Sequence, residues 1–300
     1  MWPEKPRRCW KAKTMSKRKT GIVCLLILLF LLAIWMWYGN KTLTMSTYPV
    51  LSEKLPNEFV GFRIAHVSDL HNAQMGQDNE KLLSMLRDAE PDMIAITGDM
   101  IDSRMTDMQV ALQFAKEAVR IAPCYYVTGN HEARINECDA FKTSLAELGV
   151  TVLEDESILL ERSGQAITLI GVEDPSFQTD YLFGDAVPVM NDTLSKMDLG
   201  TDSFKLLLSH RPELFQVYAD NGVDLVLSGH AHGGQFRLPL IGGLYAPNQG
   251  FFPEYDAGLY YGGNTQMIVS RGIGNSLIPI RFNNRPELIL IELTTAKTSD

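Results

Sequence analysis

The sequence predicts an α/β body carried behind a single membrane-spanning helix. Three observations predict it. Short apolar runs alternate with amphipathic stretches from Gly61 onward, an uncharged apolar run fills Gly21 to Tyr38, and chemistry-bearing residues recur just past the predicted strands.

In chain order, strands are expected over 62–67, 93–97 and 124–128, separated by helices near 79–89, 108–121 and 140–148. Strands then come in quick succession through 150–172. A helix near 188–197 precedes strands over 204–209 and 224–227, and the last third is β-rich, with strands over 266–270 and 288–293. No internal repeat or low-complexity segment interrupts this order.

Charge is unevenly distributed. Residues 1–20 hold eight Lys and Arg against Glu4, a net of +7, so the remaining 280 residues carry −16 of the overall −9. An acidic body argues against nucleic acid as a partner and suits a carboxylate-rich cation site. The apolar run after the basic tail is long enough, at ~1.5 Å per residue, to cross most of a ~30 Å hydrocarbon core. Trp35, Trp37 and Tyr38 at its end suit the membrane interface and not a peptidase site, although a cleaved signal peptide is the competing reading. Because Lys and Arg resist translocation, the tail is expected in the cytoplasm and the body on the far side of the cell membrane.

The expected organisation is a basic tail (1–20), a transmembrane helix (21–39), a polar tether with two prolines (40–58), an α/β domain (59–294) and a short tail (295–300). Of four cysteines only Cys124 and Cys138 lie in the body. They can form a bridge outside the cell, but buried free thiols are the favoured reading because Cys124 sits in an apolar strand.

The chemistry is carried by the residues just past the strands: Asp69 and His71, then Gly98-Asp99, Gly129-Asn130-His131, His210, and Gly229-His230-Ala231-His232. Five of the six histidines lie in these motifs. Any one has a plain structural explanation, as a helix cap or a hydrogen-bonded strand-end residue. Strand ends are nevertheless where ligand crevices form in open α/β sheets, so the five motifs are expected to converge. Imidazole, carboxylate and amide donors without thiolate suit Mn²⁺, Fe²⁺, Zn²⁺ or Co²⁺. Seven candidates (Asp69, His71, Asp99, Asn130, His210, His230, His232) exceed what one ion with room for water can use, so two ions sharing a carboxylate are expected.

The series Asp69-x-His71, Gly98-Asp99-x-x-Asp102, Gly129-Asn130-His131-Glu132, His210 and Gly229-His230-x-His232 resembles the calcineurin-like metallophosphoesterase superfamily over about residues 60–292. The string from Gly229 to Gln235 resembles its membrane-anchored or exported bacterial phosphodiesterase branch. The resemblance implies a four-layer α/β/β/α sandwich and a two-metal phosphoesterase. It assigns Asp69, His71 and His232 to one metal, Asn130, His210 and His230 to the other, and Asp99 to both. It makes His131 a catalytic histidine that touches neither metal, and leaves Asp102 and Glu132 as supporting or capping residues.

Substrate is less legible. Phe177, Tyr181 and Phe183, and Phe251, Phe252, Tyr255, Tyr260 and Tyr261, either wall the cleft or pack, with packing favoured; Arg211 and Arg271 read as phosphate clamps or solvated side chains. A phosphodiester of a lipid or envelope component is the expected substrate. The alternatives are a lipid-linked nucleotide pyrophosphatase of the UDP-2,3-diacylglucosamine type, disfavoured by an outward-facing site, and an inactive metal-binding scaffold, disfavoured because no ligand motif is missing.

Overall fold

The computed structural model describes residues 17–178, 185–200, 202–275 and 279–295. Its central strands are apolar on both faces, so each sheet must be covered twice. In Met93–Thr97, Ile94 and Ile96 face one core while Met93 and Ala95 face another. In Leu225–Ser228, Leu225 and Leu227 share that second core and Val226 faces a third. This period-two division places two sheets face to face with helices outside, in the order α/β/β/α.

The first sheet runs β1 (Thr44–Leu51), β16 (Glu287–Thr294), β2 (Arg63–Val67), β3 (Met93–Thr97), β4 (Cys124–Val127), β5 (Thr151–Val152). The second runs β14 (Gly258–Gly262), β15 (Thr265–Val269), β9 (Leu225–Ser228), β8 (Lys205–Leu208), β7 (Gln165–Gly171), β6 (Glu156–Arg162). Both are mixed: β2, β3 and β4 are parallel, as are β7, β8, β9 and β15, while β16 and β14 pair antiparallel with their inner neighbours. Two short ribbons, β10 (Arg237–Leu238) with β11 (Gly242–Gly243) and β12 (Tyr245–Ala246) with β13 (Gly250–Phe251), stand outside the sheets.

Helices α2 (Glu80–Ala89), α3 (Met108–Ala118) and α4 (Cys138–Glu147) cover the first sheet. In α3, Ala111, Phe114, Ala115 and Ala118 recur at helical spacing and are buried, and Asp107 caps the start by accepting from the Gln109 amide. α5 (Ala186–Lys196) and α6 (Phe215–Asp220) cover the second sheet through Met190, Leu194, Val217 and Tyr218.

α1 (Lys17–Lys41) has no buried residue and, at 25 residues, is long and apolar enough to cross a membrane. The segment expected as a tether over 40–58 differs from expectation, because β1 lies within it as an edge strand parallel to β16. Its inward positions Thr44, Ser46 and Tyr48 are polar, which hides the alternation in the sequence. They are accommodated because Thr44 Oγ1 donates to the Pro286 carbonyl at 3.0 Å and Ser46 Oγ donates to the Glu287 carboxylate. Cys124 and Cys138 are buried free thiols, pushed up to about 12 by burial.

Candidate metal centre

The motifs meet where strand ends of both sheets abut. Asp69 and His71 come after β2, Asp99 after β3, Asn130 and His131 after β4, His210 after β8, and His230 and His232 after β9. The loops interlock through backbone bonds: the Asp69 amide donates to the Gly98 carbonyl at 3.1 Å and the His71 amide to the Asp99 carbonyl at 2.9 Å. Asp69, His71, Asp99, His230 and His232 all adopt left-handed backbone, with φ between 44° and 66°. Non-glycine residues held this way carry strain that concentrates at functional sites. The glycines serve different purposes. Gly98 has φ 78° and supplies a turn, whereas Gly229 supplies space, since a Cβ there would lie 1.9 Å from Ser68 Oγ.

All seven candidate ligands are buried. Donor atoms of Asp69, His71, Asp99 and His232 lie within 4.8 Å of one another, and those of Asp99, His210 and His230 form a second such group. Asp99 belongs to both: its Oδ2 is 3.3 Å from His71 Nε2 and 3.3 Å from His210 Nε2. In the first group His232 Nε2 is 3.1 Å from Asp69 Oδ1 and 3.1 Å from His71 Nε2.

The surrounding hydrogen bonds test whether the cluster suits cations. His210 Nδ1 lies 2.7 Å from the Thr97 carbonyl, so it must donate there, which turns Nε2 toward the cluster. His230 Nε2 likewise donates to Asn248 Oδ1 at 2.9 Å, leaving Nδ1 with a lone pair. These two nitrogens face each other at 3.1 Å, a distance that requires a proton or cation between them. Asn130 Oδ1 is buried with no hydrogen-bond partner among the described residues. An acceptor left this way and nitrogens turned toward each other fit metal ligation.

Charge tells the same story. Burial favours the neutral form of Asp99 and Asp69, yet the neighbouring histidines hold both carboxyls below their ordinary range. Burial likewise opposes a charge on His210, but Asp99 pushes that imidazole up to about 10. His230 is kept well below its ordinary value by burial and by Arg211. Two ionised carboxylates thus sit in a dry site among neutral and cationic imidazoles, and divalent cations can take over the neutralising role.

His131 stands beside this cluster. The Ser103 amide donates to its Nδ1 at 3.0 Å, so Nε2 carries the hydrogen. Its ring meets the His71 ring edge-on at 4.5 Å between centroids. Although Asp102, His71 and His131 form a third close group, Asp102 is engaged by Arg104 at 2.9 and 2.6 Å. Glu132 is fully buried and accepts from three backbone amides, those of Asp99, Ile101 and Gly129. It staples the loops after β3 and β4 together, with burial pushing its carboxyl up to about 7.

Neither arginine fits its expected role. Arg211 is 3% exposed and bonds Asp174 twice, at 2.5 and 2.9 Å, together with Ser176 and Asn248, so it is neither solvated nor a phosphate clamp. Arg271 binds Glu287 at 2.7 Å and braces β16. Sequence reasoning missed Asn248, Asp174, Ser103 and the buried Arg281, whose Nη2 is 3.5 Å from His232 Nδ1. No local pattern marks them, because each acts through a partner distant in sequence. Tyr255 and Tyr260 pack against each other, whereas Phe251, Phe252 and Tyr261 are exposed; Tyr181 and Phe183 lie outside the described residues.

The family model for calcineurin-like phosphoesterases matches residues 62–234, which contain every one of these motifs. The chain belongs to that family. It is 29% identical over 251 residues to the metallophosphoesterase YkuE of Bacillus subtilis, covering 82% of this chain and 84% of that protein. It is 29% identical over 245 residues to phosphodiesterase YaeI of Escherichia coli, covering 77% and 82%. It is 28% identical over 253 residues to the transmembrane protein with metallophosphoesterase domain of Danio rerio, covering 81% of this chain and 56% of that one. The chain is therefore a metal-dependent phosphoesterase of the binuclear type, with a phosphate ester as substrate and an N-terminal helix suited to an anchor or a signal.

Proposed function

We propose that this phosphoesterase hydrolyses a phosphodiester of a lipid or cell-envelope component at the outer face of a bacterial membrane. The observation that carries the two-metal assignment is the position of Asp99 Oδ2, 3.3 Å from histidines of both groups. On this reading Asp69, His71 and His232 hold one ion, Asn130, His210 and His230 hold the other, and Asp99 bridges them. Bound divalent ions would polarise the phosphoryl oxygens and acidify a water for attack.

The chain's own contribution lies in placement and proton handling. Thr97 and Asn248 fix which nitrogen His210 and His230 offer, so the ligands are arranged before any ion arrives. Ser103 fixes the His131 tautomer with Nε2–H free to donate to a phosphoryl or leaving-group oxygen, a role worth about 10²–10⁴-fold. The phosphodiesterase name of the Escherichia coli relative supports a diester over a monoester. The exposed, unbroken apolar surface of α1 supports a retained anchor, and the basic residues before it support a cytoplasmic N-terminus.

The test is release of nitrophenol from bis-nitrophenyl phosphate by the chain supplied with Mn²⁺, Zn²⁺, Fe²⁺ or Co²⁺ in turn, alongside metal analysis. Turnover with metal bound is expected; bound metal without turnover on any diester refutes the catalytic reading. A C-terminal reporter active only inside the cell refutes the orientation.

A further inference from the structure

Among the described residues outside α1, five of the fourteen exposed large apolar side chains lie on or next to the two short ribbons beside the metal centre. Leu240 is fully exposed, and Ile241, Tyr245, Phe251 and Phe252 are between 42% and 71% exposed, with Ile280 at 44% on the neighbouring loop. Solvent does not select such a patch; exposed apolar groups of this density mark a protein or membrane contact. Two of these residues, Leu240 at φ 68° and Phe252 at φ 55°, also hold left-handed backbone that bulky residues rarely adopt.

The patch is tied to the end of α1. Arg237 donates its amide to the Phe282 carbonyl at 2.9 Å, and the Phe236 and Phe282 rings stack. Trp35 of α1 meets Phe282 edge-on at 5.2 Å, and the Asn40 side chain both donates to and accepts from the Arg281 backbone, at 2.8 and 2.7 Å. Arg285 lies over the Tyr38 ring at 5.4 Å. Only Thr42 and Leu43 separate α1 from β1, a leash of about 11 Å at most, so the body cannot stand away from wherever α1 ends.

The ribbons reach the site as directly as they reach the helix. Gly234 packs backbone to backbone on Gly243, and Asn248, between β12 and β13, holds His230. We propose that the ribbon tips dip into the leaflet from which α1 emerges, setting the mouth of the metal centre on the bilayer so that it takes a phosphodiester lipid laterally. This rests on the anchored reading of α1 and the phosphodiesterase reading of the site. The occupant is a phospholipid bilayer because the loop that pairs with the first ribbon packs on the interfacial aromatic Trp35 of α1, and the cations Lys41 and Arg285 stand at that same end of the helix, where headgroups would meet them.

The full chain in phosphatidylcholine–phosphatidylglycerol vesicles tests this. A Leu240→Cys variant with Cys9→Ser and Cys24→Ser is labelled with an environment-sensitive dye; the buried Cys124 and Cys138 stay unlabelled. Quenching by spin-labelled lipid and protection from aqueous iodide are expected, and the reverse pattern overturns the proposal. In parallel, a variant carrying Leu240→Asp, Ile241→Ser, Phe251→Ser and Phe252→Ser should lose at least tenfold on vesicle phospholipid while bis-nitrophenyl phosphate turnover stays within about twofold. Equal rates of variant and wild type on both substrates, or a wild type that cleaves the soluble diester and no bilayer phospholipid, overturn lipid delivery. A wild type inert on both substrates refutes the catalytic reading instead, and the dye still decides where the ribbons sit.

Discussion

Asn248→Gly should weaken metal binding about tenfold. Its Oδ1 lies 2.9 Å from His230 Nε2 and 2.8 Å from Arg211 Nη1, so one oxygen fixes both the tautomer of a candidate ligand and the reach of a buried guanidinium. Losing such a partner costs roughly 10–100-fold in metal affinity. Asn248 is itself exposed, so water can replace the lost acceptor, and the loss falls at the lower end, about 1.4 kcal/mol. Glycine is chosen because the backbone here is left-handed at φ 59°, where alanine would add strain of its own. Asn248→Asp keeps both the acceptor and tolerance of that backbone, and should bind metal at least as well as wild type. Chelator-competition titration of Mn²⁺ or Zn²⁺ into the apo protein measures both variants, with urea unfolding as the check on folding. Wild-type affinity in Asn248→Gly, or equal loss in Asn248→Asp, would refute the argument that this hydrogen bond prepares His230.

The ligand and acid roles separate in two substitutions: His131→Ala should lower kcat by about 10²–10⁴-fold with metal content intact, whereas Asp99→Ala should lose metal as well, read by metal analysis and diester turnover. Asp174 gives a pH signature. Burial alone would push its carboxyl up, but the Arg211 guanidinium lowers it from 3.8 to about 2. A depressed carboxyl contributes stability that is fully present above 3.8 and disappears as pH falls through about 2, here about 2 kcal/mol. Asp174→Asn should therefore destabilise by about 3–5 kcal/mol at neutral pH, because it removes the two-point partner of a buried arginine and leaves Glu213, at 3.2 Å, as its carboxylate, and the deficit should shrink by about 2 kcal/mol between pH 4 and pH 2 in urea unfolding. A deficit independent of pH would contradict the pairing.

By itself the sequence determined the layering, the strand ends and the identity of the seven candidate ligands, because apolar periodicity and residue chemistry are local properties. Met93–Thr97 reads as a strand from five consecutive apolar or β-branched positions, and Asp99 reads as chemistry because it lies just past that strand. The tertiary structure decided what depends on partners far along the chain. β1 is hidden in the sequence because its inward Thr44 and Ser46 are polar and find their partners at Pro286 and Glu287. Arg211 looked available for phosphate until Asp174, 37 positions away, occupied it. Asn248 carried no signal at all, since its meaning lies in a bond to His230. Which nitrogen each histidine turns toward the cluster, and that the ribbons stand against the end of α1, are relations between distant side chains, and only packing brings those side chains together.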